Sequence, residues 1–97
     1  MTVNVVVKPK AKADIESAVA HYTEIGHRLG DRFLHAVETT LEQIGTSPLH
    51  CAIVYKEVRQ LRLRGFPYVV SYVFDGQTVS VIAVLYGARD AKHWKSR

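Results

Sequence analysis

Val58 to Arg89 reads VRQLRLRGFPYVVSYVFDGQTVSVIAVLYGAR, three strand-like runs joined by two short turns. Side chains alternate along a strand, so Arg59, Leu61 and Leu63 share one face of the first run, and Val58, Gln60, Arg62 and Arg64 share the other. Gly65 turns the chain, and Pro67 falls at the start of the second run, where a missing N–H donor is tolerated. Val70, Tyr72 and Phe74 then face one way, and Val69, Ser71 and Val73 the other. Asp75-Gly76 is a hairpin signal, with both central turn residues expected at positive φ. Thr78 to Tyr86 is the most apolar run, which places it inside the sheet, and Gly87 ends it. The stretch reads as an antiparallel meander.

Outward from this meander, the remaining chain supplies what such a sheet needs. Thr2 to Val7 (TVNVVV) is β-branched and reads as one more strand. Pro9 marks a helix start, since its fixed φ suits the first turn and its missing N–H costs nothing there. Ile15, Ala18, Val19, Tyr22 and Ile25 recur at helical spacing and predict one apolar face, with Asp14 and Glu16 near the positive end of the helix dipole. Gly26 to Gly30 reads as a break. Phe33, Val37, Thr40, Leu41 and Ile44 predict a second amphipathic helix, capped by Gly45 with Pro48 beyond it. So short a join makes the two helices an antiparallel hairpin. Ser47 to Tyr55 reads as an irregular connection. The predicted order is β-α-α-β-β-β, an α+β domain with the helical hairpin packed on one face of the sheet.

Ninety-seven residues make a single domain, 1–97. The hydrophobic share of 47% is that of a chain with a core. No run approaches the ~20 apolar residues of a membrane span. The opening MTVNVVVKPK has an apolar run too short for a signal peptide. One cysteine, Cys51, has no internal partner, which fits a reducing compartment. The expectation is a soluble cytoplasmic protein without membrane attachment. Charge is uneven: residues 1–55 carry five Lys/Arg against six Asp/Glu, and residues 56–97 carry eight against three. A net of +5 on the meander and tail points to an anionic partner, whether nucleic acid, a nucleic-acid-bound machine or an acidic protein segment, and reads equally as a solvated basic surface.

His21, His27, His35, His50 and His93 are scattered and never two on one helix at i, i+4, so no metal site or cofactor is expected. No phosphate-cradling glycine loop occurs, and the basic half has no evident carboxylate pair for acid–base work. What remains is basic and aromatic: Lys56, Arg59, Arg62, Arg64, Tyr68, Tyr72, Tyr86, Arg89, Lys92, His93, Trp94 and Lys95. Such a set binds phosphates and stacks bases. With His93 as acid or base, and arginines stabilising a pentavalent phosphate, it has the groups for RNA cleavage through the 2′-hydroxyl. Tyr72 and Tyr86 also read as packing residues, and Arg59 as a structural ion-pair partner. Arg89 and Trp94 lie past the last strand and are the better functional candidates, although Trp94 also reads as an anchor for the tail.

Several motifs recur together: Ala11-x-x-Asp14-Ile15, Gly30-x-x-Phe33, Pro48, and Arg59-x-Leu61. Phe66-Pro67-Tyr68-Val69-Val70-x-Tyr72, Val81 to Asp90 (VIAVLYGARD) and the closing Trp94 follow in order. In combination the chain resembles the RelE/ParE superfamily of toxins from type II toxin–antitoxin systems, closer to the ParE type. The resemblance implies a growth-arresting toxin, associated with plasmid stabilisation, that forms a hetero-oligomer with a ParD- or RelB-like antitoxin. It also implies one of two targets. RelE-type members cut mRNA on the ribosome; there the set would be Arg59, Arg62, Arg89 and His93. ParE-type members poison DNA gyrase and catalyse nothing themselves; there the target-binding set would be Arg64, Tyr68, Arg89, Lys92, Trp94 and Lys95. Tyr68 stands where RelE-type toxins carry a middle-strand arginine, and Trp94 and Lys95 stand where a catalytic tyrosine is expected. Those departures favour gyrase. A non-toxic module that only binds an antitoxin is the remaining reading.

Overall fold

A computed structural model describes residues 2–87. The elements are β1 (Asn4–Val7), α1 (Pro9–Ile25), α2 (His27–Thr46), β2 (Ile53–Tyr55), β3 (Val58–Arg62), β4 (Tyr68–Phe74) and β5 (Thr78–Tyr86). They form one mixed sheet in the order β1-β5-β4-β3-β2. The meander of β3, β4 and β5 is antiparallel as expected. β1 adds to β5 in parallel, with Val5 opposite Val79 and Val7 opposite Val81. β5 is therefore internal, which explains its apolar character on both faces.

Three local readings change. The stretch expected to be irregular contains β2, a short edge strand that pairs with β3 across a turn at Lys56. Lys56 sits at φ 50, the left-handed region that the tight turn demands. The break between the helices is one residue, Gly26, in extended backbone. Gly30 lies within α2, buried against Thr23 of α1, where an added Cβ would meet the Thr23 Cα at 3.2 Å. Its small size serves helix–helix approach, not chain breaking. Gly45 likewise lies inside α2 and caps nothing; an added Cβ there would meet Thr2 and Val5 methyls at 3.1 Å. The Asp75-Gly76 hairpin is present, but only Gly76 has positive φ (96°). The Asp75 carboxylate instead accepts the N–H groups of Gln77 and Thr78, each at 2.8 Å, and makes the turn itself.

Both helices pack on the same face of the sheet. Phe33, Val37 and Ile44 of α2, each no more than 1% exposed, meet Val70, Tyr72, Val79, Val81 and Val84 of the meander. Removing a ring such as Phe33 from this layer would cost about 3–5 kcal/mol. On α1 the stripe is shorter than its spacing predicts. Ala11 and Ala18 are buried, but Ile25, the last residue of the helix, is 63% exposed. Asp14 also lies past the first helical turn and serves a contact with β5 rather than the helix dipole. On the other face of the sheet Val58 and Ala83 are buried with half-buried Tyr55, Val73, Ile82 and Leu85 around them. No helix among the described residues is long and apolar enough to cross a membrane.

Candidate functional site

The basic residues of the meander do not converge on one point. Arg59 lies opposite Tyr72, on the helix-facing side of β3, and its guanidinium donates to the carbonyl oxygen of Cys51. Arg62 lies opposite Val69, and strand alternation puts it on the other face, exposed at the strand end. Arg59 thus takes the structural role, holding the segment that leads into β2. Arg64 is exposed in the turn between β3 and β4.

Tyr68 is half-buried at the start of β4, inside an aromatic cluster. Its ring centroid lies 5.1 Å from that of Phe33, 6.0 Å from Tyr22 and 5.7 Å from Tyr86, all edge-on. Edge-on pairs of this kind stabilise by about 0.5–1.5 kcal/mol beyond burial. Tyr86 is 43% exposed and carries the cluster to the surface. Tyr72 is fully buried, and its hydroxyl donates to the Pro48 carbonyl at 2.8 Å. Burial pushes its phenol well above the ordinary tyrosine range, and a hydrogen bond to Cys51 adds to the rise. It is a packing and tethering residue. Lys56 stands over the Tyr55 ring, 5.3 Å from its centroid. Arg89, Lys92, His93, Trp94 and Lys95 lie outside the described residues.

What the fold does bring together is a cluster at the sheet edge. Arg62 and Arg64 line a cavity of about 480 Å³ with Arg32 and His35 of α2, and the 8%-exposed Phe66 closes one side. Guanidinium groups there present fixed positive charge and directed N–H donors. Arg32 and His35 carry no signal in the sequence beyond exposed positions one turn apart on α2. Only the placement of α2 beside the β3–β4 turn makes them neighbours of Arg64. A second cavity, about 420 Å³, lies between α1 and the ends of β4 and β5, beside His21, Tyr68 and Tyr86. Among the described residues no group of three or more His, Cys, Asp or Glu side chains is placed to hold a metal ion.

The arrangement is thus a two-helix hairpin on one face of a mixed five-stranded sheet, with arginines at the edge of the sheet. The solved chromosomal ParDE TA system from P. aeruginosa contains a chain of this fold, with a TM-score of 0.66 and 18% identity, covering 89% of this chain and 97% of that one. Residues 5–91 match the model of the ParE toxin of the type II toxin–antitoxin system parDE, and the chain belongs to that family. No curated protein sequence gives a significant match.

Proposed function

We propose that the chain arrests growth as the toxin of a type II module, by binding DNA gyrase rather than by cutting RNA, and that a cognate antitoxin neutralises it in a hetero-oligomer. Membership of the ParE toxin family supports the toxin role and the antitoxin partner. The observation that carries the choice of target is the separation of Arg59 from Arg62 on opposite faces of β3, with Arg59 engaged by the Cys51 carbonyl. A ribonuclease that used both would need them on one phosphate. The target-facing surface in this reading comprises Arg64 and Tyr68 together with Arg89, Lys92, Trp94 and Lys95 of the tail. The protein works in the cytoplasm, where gyrase and its DNA are.

Purified protein is incubated with gyrase, ATP and supercoiled plasmid, and the enzyme is then denatured. Linear plasmid that disappears with Arg89→Glu, or on deletion of residues 93–97, is the expected result. Unchanged plasmid, together with cuts in mRNA at ribosomal A-site codons, would replace gyrase by the ribosome.

A further inference from the structure

The chain leaves β5 beside the cavity of about 420 Å³ that α1 forms with the ends of β4 and β5. Tyr68 and Tyr86 line it with their ring centroids 5.7 Å apart and their planes at 87°. The Tyr86 ring, 43% exposed, carries this lining to the surface. From α1 come Asp14 and His21. Among the described residues Asp14 is the only carboxylate that lines the cavity, and no lysine or arginine does. Asp14 is half-buried, and one of its oxygens accepts the Val84 N–H. A single such bond does not saturate a carboxylate, which has two oxygens and roughly four acceptor positions. Aromatic rings beside a carboxylate suit a cation, and a guanidinium above all.

The sequence that follows is cationic. Residues 88–97, outside the described residues, read ARDAKHWKSR and carry four Lys/Arg against one acid, Asp90. Gly87 precedes them at φ 63, a left-handed conformation that turns the chain off the line of the strand, and its N–H donates to Pro67 O at 2.8 Å. Arg89 is the first cation after this turn. Val84, which Asp14 holds, lies three residues before Gly87, about 10 Å along a strand. Two residues beyond Gly87 cover about 7 Å when extended, and the long arginine side chain spans the rest of the way back.

We propose that this cavity is the seat of the chain's own C-terminal tail, with the Arg89 guanidinium paired to Asp14 and laid against the Tyr86 ring. A planar guanidinium meets a carboxylate through two parallel N–H groups and stacks on an aromatic face, and a lysine does neither as well. A half-buried pair is also screened by salt less than an exposed one. The seat fixes where Lys92, Trp94 and Lys95 stand on the body, whichever target the toxin engages. Arg89 is then a positioning residue for them.

The test is amide-resolved NMR of the ¹⁵N-labelled full chain, with chemical shifts and heteronuclear NOEs compared among Arg89→Gln, Asp14→Asn, the double variant and Lys92→Gln. Arg89→Gln, a change in the tail, should leave the spectrum that of a folded protein while moving the amides of Asp14 and His21, which are far from it in sequence. Asp14→Asn keeps an acceptor for Val84 and should lower the NOEs of residues 89–92 as far as Arg89→Gln does. The double variant should go no further, as two halves of one contact require. Lys92→Gln should leave Asp14 and His21 unmoved. The proposal is overturned if Arg89→Gln leaves those two amides in place, if Lys92→Gln moves them equally, or if Asp14→Asn leaves the NOEs of residues 89–92 unchanged. Effects that vanish on dilution would assign the cavity to the tail of a second copy and overturn it as well.

Discussion

The Asp14 carboxylate on α1 accepts the backbone N–H of Val84 on β5 at 3.0 Å, joining two points seventy residues apart. The pairing of β1 with β5 ends at Val81, and Ile82 is the extra residue of a bulge against β4. Asp14 takes over one edge of β5 where β1 stops. Val84 is only 1% exposed, so its N–H is poorly placed to find water instead. Asp14→Ala should lower stability by about 1–3 kcal/mol. Asp14→Asn keeps an acceptor oxygen and should cost less. Urea midpoints measure both, and equal midpoints for Asp14→Ala and the parent would show that the bond contributes nothing.

Two glycines within α2 should respond differently to alanine. At Gly30 the added Cβ meets the Thr23 Cβ at 3.1 Å and its Cα at 3.2 Å, and a backbone atom cannot rotate away. Overpacking of this kind costs about 1–3 kcal/mol, against a gain of about 1 kcal/mol in helix propensity. At Gly45 the neighbours are methyl groups of Thr2 and Val5, near the start of the chain, which can yield. Gly30→Ala should therefore lower the melting temperature, while Gly45→Ala leaves it nearly unchanged. Thermal denaturation that ranked them in reverse would mean α1 and α2 separate more readily than their packing implies.

The pH dependence of stability has a definite sign at each end. Burial first, and hydrogen bonding to Cys51 second, hold the Tyr72 phenol protonated above its ordinary value of 10.0. The unfolded chain loses that proton sooner, so the stabilisation is complete below about pH 10 and is lost as pH rises beyond it. Tyr72→Phe should flatten this alkaline decline, while costing about 1 kcal/mol at neutral pH through the lost bond to Pro48. Hydrogen bonds from Thr78 and Gln77 hold the Asp75 carboxyl below its ordinary value of 3.8. Its contribution is present above that value and is lost as pH falls through the lower folded one. Denaturation across pH, with Tyr72→Phe and Asp75→Ala beside the parent, reads both limbs.

Arg59 and Arg62 should separate structure from function. Arg59→Ala removes a charged donor from the Cys51 carbonyl and should cost about 1.5–3 kcal/mol, with growth arrest falling only as far as folded protein is lost. Arg62→Ala, at an exposed site, should leave the melting temperature unchanged. Growth arrest in cells without the antitoxin, read beside thermal melts of the purified variants, tests the pair. Full stability of Arg59→Ala with complete loss of arrest would return Arg59 to the functional set.

The meander was legible because its apolar, strand-length runs end at Gly65, Gly76 and Gly87, each at positive φ. The stripe on α2 was legible because Phe33, Val37, Thr40 and Ile44 recur at helical spacing. The parallel neighbour of β5 was not: TVNVVV states that a strand exists, but its partner is chosen by the packing of two helices in between. β2 escaped because three residues are too few to show a period. Gly30 and Gly45 misled because glycine ends helices and also lets elements approach closely, and only the neighbouring Thr23 or Val5 decides between the two. At the candidate site, Arg62 and Arg64 could be singled out from their charge. Arg32 and His35 could not, since their nearness to Arg64 is a property of the hairpin's seat on the sheet.

β5 is the final strand of the sheet to be synthesised, yet it lies between β4 and β1. β1, α1 and α2 leave the ribosome with no sheet to close against, because β1 has no partner until residues 78–81 exist. Contacts this distant in sequence form late, and a chain that is still growing exposes the apolar faces meant for them. Synthesis of β5 is thus the licensing step for the folded protein. A nonsense or frameshift lesion anywhere before Thr78 should yield a fragment destined for proteolysis rather than a weakened toxin, so the locus would fail cleanly.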